Sequence, residues 1–284
     1  MTDPPLTVRT TQINKGELLQ TLHRREGIFV VPNPWDAGSA RLLAHLGFEA
    51  LATTSAGLAF SLGKPDGLSK VTREETLANA RTIVDATDLP VSADLENGYG
   101  DAPEECAKTI RLAADAGLVG GSIEDATGNP ADPIYPLELA VERVKAAVAA
   151  ARSLSVPFTL TARAENLIYG RPDLKDTIRR LEAFAAAGAD ALFAPGLSTR
   201  EEITAVVRAV APKPVNVLMG LGKGSFTLDE LADLGVRRVS LGSSLARAAY
   251  GAFLRAAEEI HGKRSFTFAK DTVPYAVFNE IFNR

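Results

Sequence analysis

The sequence has little of what several protein classes depend on. It contains one cysteine, Cys106, which excludes an internal disulfide and a cysteine-rich metal site. No run of apolar residues approaches the roughly 18 needed to cross a bilayer. Residues 1–11 are polar and lack the apolar stretch of a secretion signal. We therefore expect a cytoplasmic protein that does not enter a membrane.

A block of basic residues is also missing. The net charge is −4, which argues against nucleic acid as the main partner. Apolar residues make up 46% of the 284 positions, enough to build a large core. We predict one domain over residues 1–284, in which residues 262–284 form a helical extension.

Histidine is scarce, and none of the three stands where catalysis would need it. His23, His45 and His261 fall on predicted helices, so we find no Ser-His-Asp arrangement. A G-x-G-x-x-G fingerprint does not follow the first predicted strand, which disfavours an open dinucleotide-binding sheet.

Short apolar segments instead alternate with helical patterns along the chain. The predicted strands are residues 28–32, 49–53, 90–94, 118–124, 157–163, 190–194, 214–218 and 236–241. The predicted helices are residues 14–26, 37–46, 72–87, 103–116, 137–154, 173–187, 199–211, 227–234 and 243–261, with a small-residue loop at residues 54–57. Such alternation implies parallel strands with right-handed crossovers. Eight units in about 250 residues predict an α/β fold, a (β/α)8 TIM barrel, with an open doubly wound sheet as the alternative.

Polar residues collect at the carboxyl ends of the predicted strands, where barrel enzymes have their active sites. Asp94 and Glu96 stand two positions apart, and in an extended segment they would point to the same side. The other strand ends carry Asn33, Thr54-Ser55, Glu124-Asp125, Arg163, Glu165, Pro195-Gly196, Asn216 and Ser243.

This set of side chains is typical of one kind of chemistry. Oxygen ligands without histidine or cysteine favour a hard cation, Mg²⁺ or Mn²⁺, that keeps several waters. An arginine beside the cation suits a substrate with carboxylates or an enolate. The alternative is a structural ion-pair network of Asp94, Glu96 and Arg163.

Three further features allow two interpretations each. Residues 220–224, Gly-Leu-Gly-Lys-Gly, could cradle a phosphate or form a simple glycine-rich turn. Trp35 could line a substrate pocket or pack in the core. Cys106 lies in the middle of a predicted helix and is typical of a small core residue.

With these motifs in hand, the chain resembles the isocitrate lyase/phosphoenolpyruvate mutase superfamily over nearly its whole length. The motifs that carry the resemblance are residues 33–40 (Asn-Pro-Trp-Asp-Ala-Gly-Ser-Ala), 93–100 (Ala-Asp-Leu-Glu-Asn-Gly-Tyr-Gly), 123–125 (Ile-Glu-Asp), 162–165 (Ala-Arg-Ala-Glu) and 237–242 (Arg-Arg-Val-Ser-Leu-Gly).

The resemblance implies a (β/α)8 barrel with Mg²⁺ at its mouth. Asp94 matches the direct metal ligand, and three further acids match those that hold the metal largely through water: Asp66, Glu96 and Glu124. Arg163 matches the arginine that binds the substrate carboxylate. The other carboxylate end would meet the backbone N–H groups of Thr54, Ser55 and Ala56. Residues 271–284 match a last helix that the family swaps between subunits, which predicts a homodimer or homotetramer.

The chain departs from its relatives at residues 126–136. The lyases carry Lys-Lys-Cys-Gly-His there, and the mutases and phosphonopyruvate hydrolases a lysine, whereas this loop has no Cys, His or Lys and begins with Ala126. Tyr135 is the evident proton donor that is left. We therefore expect Arg163, Glu124 and Tyr135 to be catalytic, with Trp35 and Asn216 as further substrate contacts.

The predicted function is that of a Mg²⁺-dependent lyase. It would cleave a C–C bond in a small 2-oxo or 2-hydroxy carboxylate through a metal-stabilised enolate, as in decarboxylation of an oxaloacetate-type acid or cleavage of a 2-methylisocitrate-like one. One alternative is a P–C bond enzyme that acts on phosphonopyruvate. An alternative from another class is a barrel that binds a dicarboxylate without turnover.

Overall fold

Eight short parallel strands form one sheet in the computed structural model, which describes residues 6–67, 70–220 and 225–283. The strands are β1 (Phe29–Val31), β2 (Leu51–Ala52), β3 (Val91–Asp94), β4 (Gly120–Glu124), β5 (Thr159–Arg163), β6 (Ala191–Phe193), β7 (Val215–Leu218) and β8 (Arg238–Ser240). Their order is β1-β8-β7-β6-β5-β4-β3-β2, with every pair parallel. The predicted (β/α)8 barrel is confirmed.

The barrel closes between β1 and β2 through the residues that follow β1. The N–H of Ala52 donates to the carbonyl of Pro32 at 3.1 Å. The side chain of Asn33 donates to the carbonyl of Thr53 and accepts from the N–H groups of Leu241 and Gly242. The Asn33 side chain therefore links the ends of β1, β2 and β8, which explains why a buried amide lies at the end of β1.

Helices surround the sheet. They are α1 (Leu6–Arg24), α2 (Ala37–His45), α3 (Ser55–Ser61), α4 (Arg73–Asp85), α5 (Pro103–Asp115), α6 (Leu137–Ser153), α7 (Leu174–Ala186), α8 (Arg200–Val210), α9 (Leu228–Asp233), α10 (Ser244–Glu258) and α11 (Tyr275–Phe282). A π segment (Glu259–Lys263) and a 3₁₀ segment (Thr267–Asp271) separate the last two helices. Capping boxes begin α4, α8 and α9, as the Thr-x-x-Glu patterns there require.

Two sequence predictions about the helices were wrong. Residues 55–61 form the helix α3 rather than a loop, because the Thr54 hydroxyl caps it and Leu58 and Ala59 pack against Val71. The first helix begins at Leu6, eight residues before the predicted start. The glycine-rich segment 220–224 falls largely outside the described residues.

Side chains on the strands divide by face, and this division creates the site. The outward residues Ile123, Ala162, Leu192, Val217 and Val239 are buried against the helices. Their inward neighbours are mostly polar and line a cavity: Ser92, Asp94, Ser122, Arg163, Asn216, Arg238 and Ser240. Helix packing therefore supplies the apolar core, while the barrel interior is left for polar chemistry.

The predicted C-terminal helical extension is present, but its exchange between subunits is not shown. Helix α11 lies beside α2 of the same chain, where the Phe282 ring is 5.9 Å from the Arg41 guanidinium. Among the residues described, no helix is both long and apolar enough to span a membrane.

Candidate active site

A cavity of about 170 Å³ opens at the carboxyl ends of the strands. It is smaller than the roughly 300 Å³ at which pockets for drug-sized ligands begin, so it suits a molecule of few heavy atoms. Seven of the predicted site residues line it: Thr54, Ser55, Ala56, Asp66, Asp94, Arg163 and Asn216.

Arg163, at the end of β5, is the centre of the site. Its Nη1 lies 2.7 Å from Asp94 Oδ1, its Nη2 3.0 Å from Glu124 Oε2, and its Nε 3.0 Å from Glu165 Oε1. The guanidinium also lies over the Phe193 ring, 5.3 Å from its centroid. These contacts fix the plane of the arginine, whose Nη1 and Nε donate to Asp94 and Glu165.

The charges around Arg163 do not balance. Burial alone would lower the pKa of Arg163, but the carboxylates of Glu124, Glu165 and Asp94 raise it well above its usual value. Burial raises the pKa of Glu165 to about 7 despite the arginine, and it raises that of Glu124 as well. When all three carboxylates are ionised, their charge exceeds that of the one arginine, and a cation would offset the difference.

Asp94 and Glu96 are close together, but not through the predicted strand geometry. Strand β3 ends at Asp94, and Glu96 has a left-handed backbone with φ of 46°. The N–H of Glu96 donates to Asp94 Oδ1 at 3.2 Å. The other oxygen, Oδ2, accepts from the N–H of Ser55 at 3.3 Å, and the Asp94 N–H donates to the Thr53 hydroxyl. A turn, and not an extended segment, therefore brings the two carboxylates together.

Two buried arginines hold the loop that carries Glu96. Arg143 donates to the carbonyls of Asn97, Gly100 and Asp101. Arg73 donates to the carbonyls of Gly98 and Tyr99. Charged donors bind backbone oxygens more strongly than neutral ones do. The strained backbone at Glu96 is thus maintained by contacts from α4 and α6.

Asp66 completes a group of four acids with Asp94, Glu96 and Glu124. Its carboxylate accepts from the Ser55 hydroxyl, and burial and the nearby Asp94 raise its pKa. Burial, Asp94 and Asp66 together raise the pKa of Glu96 to about 7. These carboxylates therefore repel one another when ionised.

The donor set fits a divalent cation that keeps most of its water. Within the described part of the chain, no three Asp, Glu, His or Cys side chains converge closely enough to form a full set of metal ligands. Asp94 and Asp66 line the cavity with carboxylate oxygens, whereas Glu96 and Glu124 are not among the described residues that line it. Mg²⁺ characteristically binds one or two carboxylates directly and reaches others through water.

The structure does not bring Tyr135 to the cavity. Its side chain is 4% exposed, its hydroxyl donates to Asp101 Oδ1 at 2.6 Å, and its ring lies under the Arg143 guanidinium. Burial and the hydrogen bond to Asp101 raise the pKa of its phenol. The loop before it is closed by a bridge between Ala126 and Ile134.

Two other strand-end residues also have structural partners. Trp35 is not among the described residues that line the cavity, and its ring lies 6.4 Å from that of Tyr250. Asp125 is buried, accepts from the N–H of Glu165 and forms an ion pair with Arg180. It therefore joins the loops after β4 and β5.

Sequence reasoning missed several cavity residues, among them Phe193 and Arg238. Arg238 precedes Ser240 by two positions on β8, so the period-two rule would have placed both on the inner face. Nothing local distinguishes that face from the outer one. Phe193 is similar, because its contact with Arg163 depends on the register of β5 against β6.

The family model described as phosphoenolpyruvate phosphomutase matches residues 18–261. An oxaloacetate decarboxylase from Bradyrhizobium diazoefficiens is 33% identical over 69% of this chain and 68% of that protein.

Solved structures are similar over almost the whole chain. A candidate lyase/mutase from Burkholderia cenocepacia is 58% identical, with a TM-score of 0.94 over 97% of this chain and 98% of that one. Oxaloacetate acetylhydrolase in complex with its product oxalate is 27% identical, with a TM-score of 0.85 over 95% and 94% of the two chains.

Proposed function

This chain belongs to the phosphoenolpyruvate phosphomutase family, within the PEP mutase/isocitrate lyase superfamily, and we propose that it is a Mg²⁺-dependent lyase that cleaves a C–C bond in a small 2-oxo or 2-hydroxy carboxylate. One observation carries the proposal: Arg163 faces a small cavity while Asp94, Glu124 and Glu165 hold its guanidinium. This pairing of an oriented cation with excess carboxylate serves metal-assisted enolate chemistry.

Four acids would hold the metal. Asp94 would bind it directly, and Asp66, Glu96 and Glu124 would hold its water ligands. When bound, Mg²⁺ supplies a Lewis acid that polarises a carboxylate or carbonyl oxygen of the substrate. Mn²⁺, which takes similar oxygen ligands, would substitute.

The chain's own groups bind and orient the acid. Arg163 donates N–H groups toward the oxygen on which negative charge grows as the C–C bond breaks. Ser55 and Ala56 line the cavity at the first turn of α3, where backbone N–H groups have no partner within the helix. Asn216 is held by hydrogen bonds on both sides of its amide and lines the opposite wall.

Decarboxylation of an oxaloacetate-type acid fits the loop after β4 best. When CO₂ leaves, the electron pair of the C3–C4 bond becomes the C2–C3 double bond of the enolate, and solvent can protonate C3 afterwards. The bond-breaking step then needs no protein acid. This agrees with a loop whose tyrosine hydroxyl is engaged with Asp101.

A P–C bond enzyme that acts on phosphonopyruvate is the second candidate, because the matching family model carries the mutase name. Ala126 counts against it. That side chain is 1% exposed and non-ionisable at the position where the mutases have a lysine.

We also propose that the protein is a homo-oligomer. Large apolar side chains are exposed on α10 and the tail, a set that we call the C-terminal apolar surface: Phe253, Leu254, Phe266, Val273 and Tyr275. An apolar surface of this kind marks an interface, and a second copy of the chain is the proposed occupant. A cytoplasmic location is likewise part of the proposal and rests on the use of a single cysteine.

A substrate panel tests the reaction class. Purified protein with Mg²⁺ would be incubated separately with oxaloacetate, 2-methylisocitrate, 2,3-dimethylmalate and phosphonopyruvate, and products followed by NMR. We expect C–C cleavage of at least one carboxylic acid and no phosphate release from phosphonopyruvate. Phosphate release without C–C cleavage would favour the second candidate.

A further inference from the structure

A second arginine, Arg238, lies inside the barrel and lines the same cavity as Arg163. Its side chain is 6% exposed. Its Nε donates to Asn216 Oδ1 at 2.8 Å, and its Nη1 lies 3.3 Å from His23 Nε2. The residue therefore spans from the bottom of the barrel, where α1 carries His23, to the cavity.

Neither partner of Arg238 carries a negative charge. His23 Nδ1 donates to the carbonyl of Leu19 at 2.7 Å, so its Nε2 is free to accept from Arg238 as a neutral imidazole. Burial, together with Arg238, lowers the pKa of His23 to about 3, which keeps the ring neutral. No carboxylate in residues 6–67, 70–220 and 225–283 forms an ion pair with Arg238.

Arg163, unlike Arg238, has three carboxylate partners. A buried charge without a counter-ion is unfavourable. Burial and the neighbouring Arg163 accordingly lower the pKa of Arg238 to about 10. An anion bound in the cavity would offset both the burial of the Arg238 charge and its repulsion by Arg163.

The surroundings of Arg238 suit an anionic group better than an apolar one. Hydroxyl groups of Ser92, Ser122 and Ser240 line the same cavity. These groups can donate hydrogen bonds to carboxylate oxygens.

We infer that Arg238 is a specificity-determining residue that binds a second carboxylate of the substrate, distal to the metal, so that the enzyme selects a dicarboxylate over the matching monocarboxylate. This inference rests on the proposed function and assigns its substrate class. The competing explanation is structural: Arg238 would only orient the Asn216 amide. Because that amide also lines the cavity, a structural role would affect monocarboxylates and dicarboxylates alike.

Calorimetric titration with two acids in the presence of Mg²⁺ separates these explanations. Pyruvate carries one carboxylate, and 3,3-difluorooxaloacetate, an inhibitor of a structural relative, adds a second at the distal end. We expect Arg238→Met to weaken difluorooxaloacetate binding by about 10- to 100-fold, as for a lost charge-assisted hydrogen bond. Pyruvate binding should change by less than about 3-fold, and Arg238→Lys should lie between wild type and Arg238→Met.

Arg237→Met is the matched control, because it removes the same charge from the adjacent residue. The Arg237 guanidinium donates to the carbonyls of Arg25 and Gly27, outside the cavity. This variant should bind both acids as wild type does, and thermal unfolding would confirm that every variant is folded.

Equal weakening of both acids by Arg238→Met would overturn the inference, and so would unchanged binding of both. The proposed function would survive either result, since wild type would still bind a 2-oxo acid with metal. Wild-type protein that binds neither acid would contradict the proposed function itself, and the inference with it.

Discussion

Nη1 of Arg163 lies 2.7 Å from Oδ1 of Asp94, so the proposed substrate-binding arginine and the proposed metal ligand form one hydrogen-bonded unit. The same carboxylate accepts from the N–H groups of Ser55 and Glu96. The proposed metal site, the proposed substrate site and the loops after β2 and β3 therefore meet at Asp94. A substitution of Asp94 should therefore affect metal binding, substrate binding and the two loops.

Removal of the Asp94 carboxylate tests the metal site. We expect Asp94→Ala to lose measurable Mn²⁺ binding, because in the proposed site the remaining acids act through water and cannot replace a direct ligand. Titration calorimetry, or the EPR signal of free Mn²⁺, measures this without any substrate. Asp233→Ala, an exposed aspartate on α9, should bind Mn²⁺ like wild type; equal affinity in both variants would place the metal elsewhere.

The pH dependence of metal-induced stabilisation tests the electrostatics of Glu96. Its pKa is raised to about 7 by burial, then by Asp94 and Asp66. The folded state binds this proton more tightly than the unfolded state, so the group stabilises the metal-free fold below about pH 4.5, its ordinary pKa. That stabilisation is lost as the pH rises through 7.

A bound divalent cation requires the ionised carboxylate and acts in the opposite sense. The rise in Tm caused by Mg²⁺ should therefore be larger at pH 8 than at pH 6, and Glu96→Gln should reduce that difference. The exposed Glu201→Gln variant should retain it. A Mg²⁺ effect of the same size at both pH values in wild type would show that Glu96 does not titrate with the metal.

Tyr135→Phe tests whether the loop tyrosine supplies a proton. Since its hydroxyl donates to Asp101 and does not face the cavity, we expect the turnover rate to change by less than about 3-fold. Loss of the hydrogen bond should lower the free energy of unfolding by about 1–3 kcal/mol. Steady-state kinetics and urea unfolding measure the two effects. Turnover that slows by about 100-fold or more, at unchanged metal affinity, would make Tyr135 the catalytic acid after all.

A charge on the C-terminal apolar surface tests the oligomer. The Phe253 side chain is 71% exposed in the single chain. If a second copy covers it, Phe253→Glu should shift the mass in analytical ultracentrifugation from dimer or tetramer to monomer, because an unpaired charge would be buried. Leu228→Glu, at an exposed apolar residue of α9, should not. If the wild-type protein is a monomer at micromolar concentration, the proposed homo-oligomer is wrong.

The fold could be predicted from the sequence because its main determinants are local. The apolar segments that precede Asp94, Glu124 and Arg163 have strand length, and the helices α4, α8 and α9 carry Thr-x-x-Glu starts. Helix α3 was missed because Ser55 and Gly57 have weak helix propensity, which tertiary packing overrides.

The site was only partly predictable, because several of its contacts depend on register and turns. The proximity of Asp94 and Glu96 results from a left-handed turn that propensity does not encode. Tyr135 could not be placed, because the same loop could direct its hydroxyl toward the cavity or toward Asp101. The position of Arg238 depends on which face of β8 points inward, and its lack of a counter-charge depends on every neighbouring strand.

Turnover of oxaloacetate, measured by NMR as pyruvate formation with and without Mg²⁺, tests metal-assisted enolate chemistry most directly. Wild type should form pyruvate saturably above the rate with Mg²⁺ alone, and chelation should abolish the difference. Arg163→Lys keeps the charge but not the planar fork, so it should still bind Mn²⁺ while turnover slows by about 100-fold or more. If wild type shows no Mg²⁺-dependent consumption of oxaloacetate, 2-methylisocitrate or 2,3-dimethylmalate above the protein-free rate, the proposed lyase function is wrong.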